Sequence, residues 1–188
     1  KCVLISQHAD SMGAPTACEN ANVPNVSYNG STIKACPNTF IVSSRIDWAP
    51  YYEYIIGCVK DGKEIDTDWT GTLATGSVVL TEVNDKAAAA GTAEKIEAVK
   101  ADIESGKIHV FDTSKFTVTV DAAKGLNANA KVDADGHLTS YMADVNTDEK
   151  FEGDTEVVKD GFFAESTFRS APYFDIKIDG ITLLNTKF

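Results

Sequence analysis

Val3-Leu4-Ile5-Ser6-Gln7-His8-Ala9-Asp10-Ser11 is the stretch whose reading decides the fold. Its first four residues read as a strand of continuous apolar character, the pattern of a sheet covered on both faces. Polar residues follow at once. Asp10 or Ser11 can cap a helix that holds Pro15 in its first turn and runs to about Asn20. After the turn Asn22-Val23-Pro24, residues 26–28 form the next strand, which ends on Tyr28-Asn29-Gly30. Phe40-Ile41-Val42 is the third strand, followed by Ser43-Ser44-Arg45. Asp47 then caps an amphipathic helix carrying Trp48, Tyr51, Tyr52, Ile55, Ile56 and Val59, stopped at Asp61-Gly62. Strand alternating with helix predicts an α/β class: a mostly parallel sheet, right-handed crossovers, and helices on both faces.

Working outward, residues 63–75 are polar and read as a surface loop around Trp69, with a further strand over 77–83. Residues 87–105 carry a helix pattern ended by Gly106. Residues 108–111 and 116–120 read as closing strands. From 121 to 160 the composition shifts to Asp, Asn, Gly and Lys, which predicts loops and a hairpin turning at Asp135-Gly136. Strand alternation returns at Phe162-Phe163 and over 173–181. The expected organisation is a lobe over residues 1–120, with a loop-rich appendage and closing strands over 121–188 packed on the same lobe.

The 188 residues carry 28 acidic against 17 basic side chains, a net charge of −11. That field repels phosphate backbones, so nucleic acid is not an expected partner. No run approaches the roughly 20 apolar residues that span a bilayer. The chain opens on Lys1 and is inside a strand by residue 3, which reads as a fragment lacking a preceding part. Cys2, Cys18, Cys36 and Cys58 form no C-x-x-C pair, so buried thiols are expected in preference to a disulfide, and no zinc site.

Three strand ends in succession carry polar or aromatic side chains, and in open α/β sheets small ligands bind outside the carboxyl ends of the strands. At the first, Gln7, His8, Asp10 and Ser11 either hydrogen-bond a polar ligand or cap the next helix, since caps and ligand sites share this location. At the second, Asn29-Gly30 is a turn signal whatever the function. At the third, Trp48 with Tyr51 is either an aromatic wall or core. Asp133-x-Asp135-Gly136 and Asp144-x-Asn146-x-Asp148 resemble the opening of a calcium loop. The second has Glu149 and Thr155 where an EF-hand needs Gly and Glu, and is rejected. No nucleophile elbow or paired acid and base stands out. A rival class is a small α/β enzyme using His8 and Asp10 as acid and base; another is a ligand-sensing domain.

Taken in order, residues 4–11, 17–23, Val26-Ser27-Tyr28-Asn29, residues 40–44 and Asp47-Trp48-Ala49-Pro50-Tyr51-Tyr52 resemble the second half of the basic membrane protein family. Lys60-Asp61-Gly62-Lys63, Trp69-Thr70-Gly71, residues 76–80 and 103–111 continue the likeness, and Ser170-Ala171-Pro172-Tyr173-Phe174 with Ile178-Asp179-Gly180-Ile181 resembles some members. These are solute-binding lipoproteins of ABC importers, typically for purine nucleosides or nucleobases. The resemblance implies a type I periplasmic-binding fold, two doubly wound lobes joined by a hinge, of which this chain is the carboxyl-terminal lobe. It further implies an ABC permease as partner, an extracytoplasmic location with a lipid anchor on the preceding part, and no cofactor, metal or catalytic residue. The implied ligand set is Gln7, His8, Asp10, Asn29, Trp48 and Tyr51. Many members have an Asp that bonds the ribose hydroxyls where this chain has the neutral Asn29. Residues 121–160 have no assigned counterpart.

Overall fold

Hydrogen bonding starts at Ile5, whose N–H donates to the Pro24 carbonyl at 3.0 Å, and from there the sheet of the first half is built. A computed structural model describes residues 2–146, 148–150 and 152–182. The chain divides into two units. The first holds the described residues up to Thr67 together with Gly71–Ser105; the second holds Asp68–Thr70 and the described residues from Gly106 onward.

The sheet of the first unit contains β1 (Ile5–Ser6), β2 (Asn25–Tyr28), β3 (Phe40–Ile46) and β4 (Val78–Leu80), side by side in that order. β1 with β2 and β2 with β3 are parallel, whereas β4 runs antiparallel to β3. The reason lies in the loop after α2 (Ala49–Asp61). It returns to the carboxyl end of β3, where the Asp47 N–H bonds the Ser77 carbonyl at 2.7 Å, so β4 enters from that end. The mixed α/β class stands, but the doubly wound expectation is corrected. A doubly wound sheet reverses its strand order at a switch point, and here each strand is added beyond the last. Helices on both faces also need alternation, and the β2-to-β3 connection contains no helix.

The helix punctuation follows the sequence. Ser11 Oγ accepts the Gly13 N–H at 3.1 Å at the start of α1 (Gly13–Ala21), which ends at Asn22 in the left-handed conformation. Asp47 Oδ1 accepts the Ala49 N–H at 3.0 Å before α2, and Gly62 at φ 64° stops it. α3 (Thr92–Glu104) starts later than residue 87, because Ala87 and Ala88 turn back on the Asn84 carbonyl and Gly91 sits at φ 80°. β1 is likewise shorter than residues 3–6. It is an edge strand, and Val3 and Leu4 are 86% and 49% exposed, which overturns the expectation of burial on both faces. Phe40, Val42, Cys18, Cys36 and Cys58 are buried, together with the polar Asn25, Thr39, Ser43 and Asn84. All four cysteines are free thiols, and Cys2 is exposed.

In the second unit β5 (Ala130–Val132), β6 (Leu138–Ala143) and β7 (Thr155–Glu156) form an antiparallel sheet, and β8 (Val158–Lys159) pairs with β9 (Phe162–Phe163). The core joins Val118, Leu138, Tyr141, Val157, Phe163 and Tyr173. Val118 belongs to it, so the unit boundary lies at Ser105/Gly106 and not after residue 120. The turn at Asp135-Gly136 is present, with Gly136 at φ 86° and Asp133 Oδ1 accepting the Asp135 and His137 N–H groups, each at 2.9 Å. Those bonds account for the Asp-x-Asp-Gly pattern as a turn. Residues 108–111 and 116–120 form no strand ladder. The Asp112 carboxylate accepts the Ser114 N–H at 3.0 Å and coils Thr113–Lys115 into a 3-10 turn between them. Residues 173–181 form none either; Lys177 and Asp179 donate singly, to Asn127 Oδ1 and the Thr117 carbonyl.

Candidate ligand-binding site

Because β1 and β2 are parallel neighbours, the segments that leave their carboxyl ends lie beside one another, and a cavity of about 260 Å³ opens there. Gln7, Asp10 and Ser11 line it from the first segment, and Tyr28, Asn29, Ser31 and Thr32 from the second. The Gln7 N–H extends the ladder to the Val26 carbonyl at 3.1 Å, and its side-chain amide donates to the Ser11 carbonyl at 3.4 Å. Asn29 bends the chain out of the sheet. It sits at φ 66°, a conformation Asn tolerates better than most residues, while its N–H holds the Ser44 carbonyl at 2.7 Å. The turn beyond is pinned by the Ser27 and Thr32 hydroxyls at 3.0 Å and by the Cys36 thiol donating to the Thr32 carbonyl.

The side chains offer one carboxylate, two primary amides and several hydroxyls. The carboxylate only accepts hydrogen bonds; the amides and hydroxyls both donate and accept. Such a set pairs with a neutral, hydroxyl- or amide-rich solute, and Asp10 disfavours an anion.

Of the residues singled out in the sequence, Gln7, Asp10 and Asn29 are brought together here. His8 does not line the cavity. It is exposed, and its ring stacks on that of Tyr28 at 4.5 Å and 24°. Among the described residues no hydrogen bond or ion pair joins His8 to Asp10. Trp48 and Tyr51 meet elsewhere, at the start of α2, where their rings and that of Tyr52 lie 6.1–6.4 Å apart. Trp48 is 54% exposed, which decides against the core alternative. Tyr28, Ser31 and Thr32 also line the cavity and are not among the site residues expected from the sequence. Their position around Asn29-Gly30, just past a strand end, was the available signal.

The second unit has a cavity of about 340 Å³ that includes His137, Asp133 and Asp160. The His137 Nδ1 lies 2.8 Å from the Phe116 carbonyl and 3.2 Å from that of Thr113. The bond to Phe116 raises its pKa above the usual imidazole value against the opposing effect of desolvation, with Asp133, Thr113 and Asp135 adding to the rise. Among the described residues, no group of three or more His, Cys, Asp or Glu side chains is arranged to hold a metal ion, and no helix is long and apolar enough to cross a membrane.

No family model matches the chain, and no curated protein matches it. Among solved structures it is similar to an ABC transporter system solute-binding protein from Conexibacter woesei DSM 14684, with 17% sequence identity and a TM-score of 0.46. The match covers 57% of this chain and 37% of that one, well under two thirds of the length of the Conexibacter protein.

Proposed function

We propose that this chain is the ligand-binding lobe of an extracytoplasmic solute receptor that serves an ABC importer, and that its solute is a purine nucleoside or nucleobase. The observation that carries the reading is the polar cavity at the adjoining carboxyl ends of β1 and β2, where Asp10, Gln7 and Asn29 converge. These groups suit the hydroxyls of a sugar and the edge of a base. The half-buried ring of Tyr28, which lines the cavity and carries the exposed His8 ring stacked on it, is the proposed stacking partner for a flat heterocycle; Trp48 and Tyr51, at the start of α2, lie outside that lining. The importer, the permease partner, the lipid anchor and the choice of purines rest on the ordered resemblance of the sequence motifs.

A thermal-shift screen of nucleosides, nucleobases and sugars tests this. A ligand at about 100 times its dissociation constant adds about 2.7 kcal/mol to the stability of the state that binds it. A rise in melting temperature with purine nucleosides or bases and not with sugars is the expected result. A flat response to all purine compounds would overturn the purine reading.

A further inference from the structure

A second concave surface of the first unit is built on opposite chemistry. Leu73, Val78 and Leu80 on one side and Ile96, Val99 and Ile103 of α3 on the other enclose a cavity of about 470 Å³. Ile96, Val99 and Ile103 recur at helical spacing, so they share one face of α3. Yet α3 buries none of its residues, and Val78, Leu80 and Val99 remain 37%, 39% and 48% exposed. Apolar surface left open in a concavity of this size is where an apolar ligand body gains most from leaving water.

The rim names the other half of that ligand. Lys95 and Lys100 are the ionisable side chains in the lining, and neither ammonium has an ion-pair partner among the described residues. The chain's net charge of −11 opposes an anion at long range. At physiological ionic strength the distant part of that repulsion is screened beyond about 8 Å. The nearer carboxylates of α3, Glu94, Glu97, Asp102 and Glu104, do not line the groove, whereas the two ammonium-bearing side chains do. Local complementarity therefore wins.

We propose that the groove between β4 and α3 binds a free single-chain carboxylate of the fatty-acid type, its tail along the isoleucine, leucine and valine side chains and its head group at Lys95 and Lys100. This site is independent of the strand-end cavity, where Asp10 disfavours an anion.

Titration calorimetry with sodium decanoate and sodium dodecanoate, kept below their micelle concentrations, tests it. One saturable site per chain is expected, with dodecanoate binding about 15-fold more tightly than decanoate, the effect of burying two further methylenes. Combining Lys95→Gln with Lys100→Gln should weaken dodecanoate by roughly tenfold and leave the melting temperature unchanged, since both substitutions only remove charge. Val99→Asp, at a half-exposed position, should abolish binding without unfolding the chain. Dodecyltrimethylammonium should bind more weakly than dodecanoate to the native chain. Absence of saturable binding, equal affinity for the cationic and anionic amphiphiles, or indifference to the lysine substitutions would overturn the proposal. Binding to phosphatidylglycerol vesicles without uptake of dodecanoate would assign the face to a bilayer and overturn it as well.

Discussion

Asn84 is 8% exposed, and its amide donates to the carbonyls of Pro37 and Phe40 at 2.9 and 2.8 Å while its own N–H bonds the Ile41 carbonyl at 2.8 Å. One side chain therefore satisfies two acceptors that the ladder leaves open. Asn84→Ala removes both bonds, and we expect a loss of about 2–3 kcal/mol in urea unfolding, because unsatisfied buried acceptors carry the full desolvation cost. Gly153 is the corresponding position in the second unit. A Cβ there would stand 2.4 Å from the Met142 carbonyl oxygen and 2.6 Å from the Asn129 amide. The first of these is backbone and cannot swing aside, so Gly153→Ala should cost about 1–3 kcal/mol by the same assay. His137 supplies a pH test. Its folded pKa lies above the unfolded value of about 6.5, so the stability it adds is fully present below that pH and lost as pH rises through the folded value. His137→Gln should therefore destabilise the chain more at pH 5.5 than at pH 8.5. An equal penalty at both would remove the charged imidazole from the explanation.

At the scale of elements, α1 is tied to the segment before β3 by a single carboxylate. Glu19 accepts from the Asn38 N–H at 3.2 Å, from the Thr39 hydroxyl at 2.8 Å and from the Asn38 side-chain amide. Burial pushes its pKa up, but the bonds from Thr39 and Asn38 outweigh that and hold it below the ordinary glutamate value. A depressed folded value means stability that is present above the unfolded pKa of about 4.3 and lost as pH falls through the folded one. The melting-temperature gap between the native chain and Glu19→Gln should thus be constant from pH 6 to 7 and close below pH 4. A gap that widens in acid would contradict the clamp. The elements themselves were legible where the sequence carries local signals. Pro15, Asn22, Asp47 and Gly62 mark α1 and α2 because caps and stops are decided within a turn of the helix. The direction of β4 was not legible, since it depends on where a long loop delivers the chain.

For the molecule as a whole, the two units differ in how far the sequence speaks for them. In the first, period and punctuation agree, and three of the six expected site residues, Gln7, Asp10 and Asn29, meet in one cavity. In the second, cohesion comes from side chains on irregular backbone. Phe111 stacks on Phe174 at 4.5 Å across 63 residues of chain, a contact that no local pattern announces, and Phe163 meets the same Phe174 ring edge-on at 4.8 Å. One local signal is present there: Asp160-Gly161, both at positive φ, is the two-residue turn between β8 and β9. Trp48 and Tyr51 were misplaced relative to the cavity for a related reason. The aromatic spacing on α2 fixes a helix face, not the neighbour that face meets.

The central claim is that the strand-end cavity selects a neutral, hydroxyl-bearing solute through Asp10 and Asn29. Titration calorimetry of inosine against the native chain, Asp10→Ala and Asn29→Gly tests it most directly; glycine keeps the left-handed backbone at position 29. Both side chains are exposed, so neither substitution should move the melting temperature. The predicted result is saturable one-to-one binding to the native chain that weakens by about tenfold or more in each variant, the scale of one lost hydrogen bond to a bound ligand. Full affinity retained in both variants would contradict the site, and no binding of inosine to the native chain would contradict the solute.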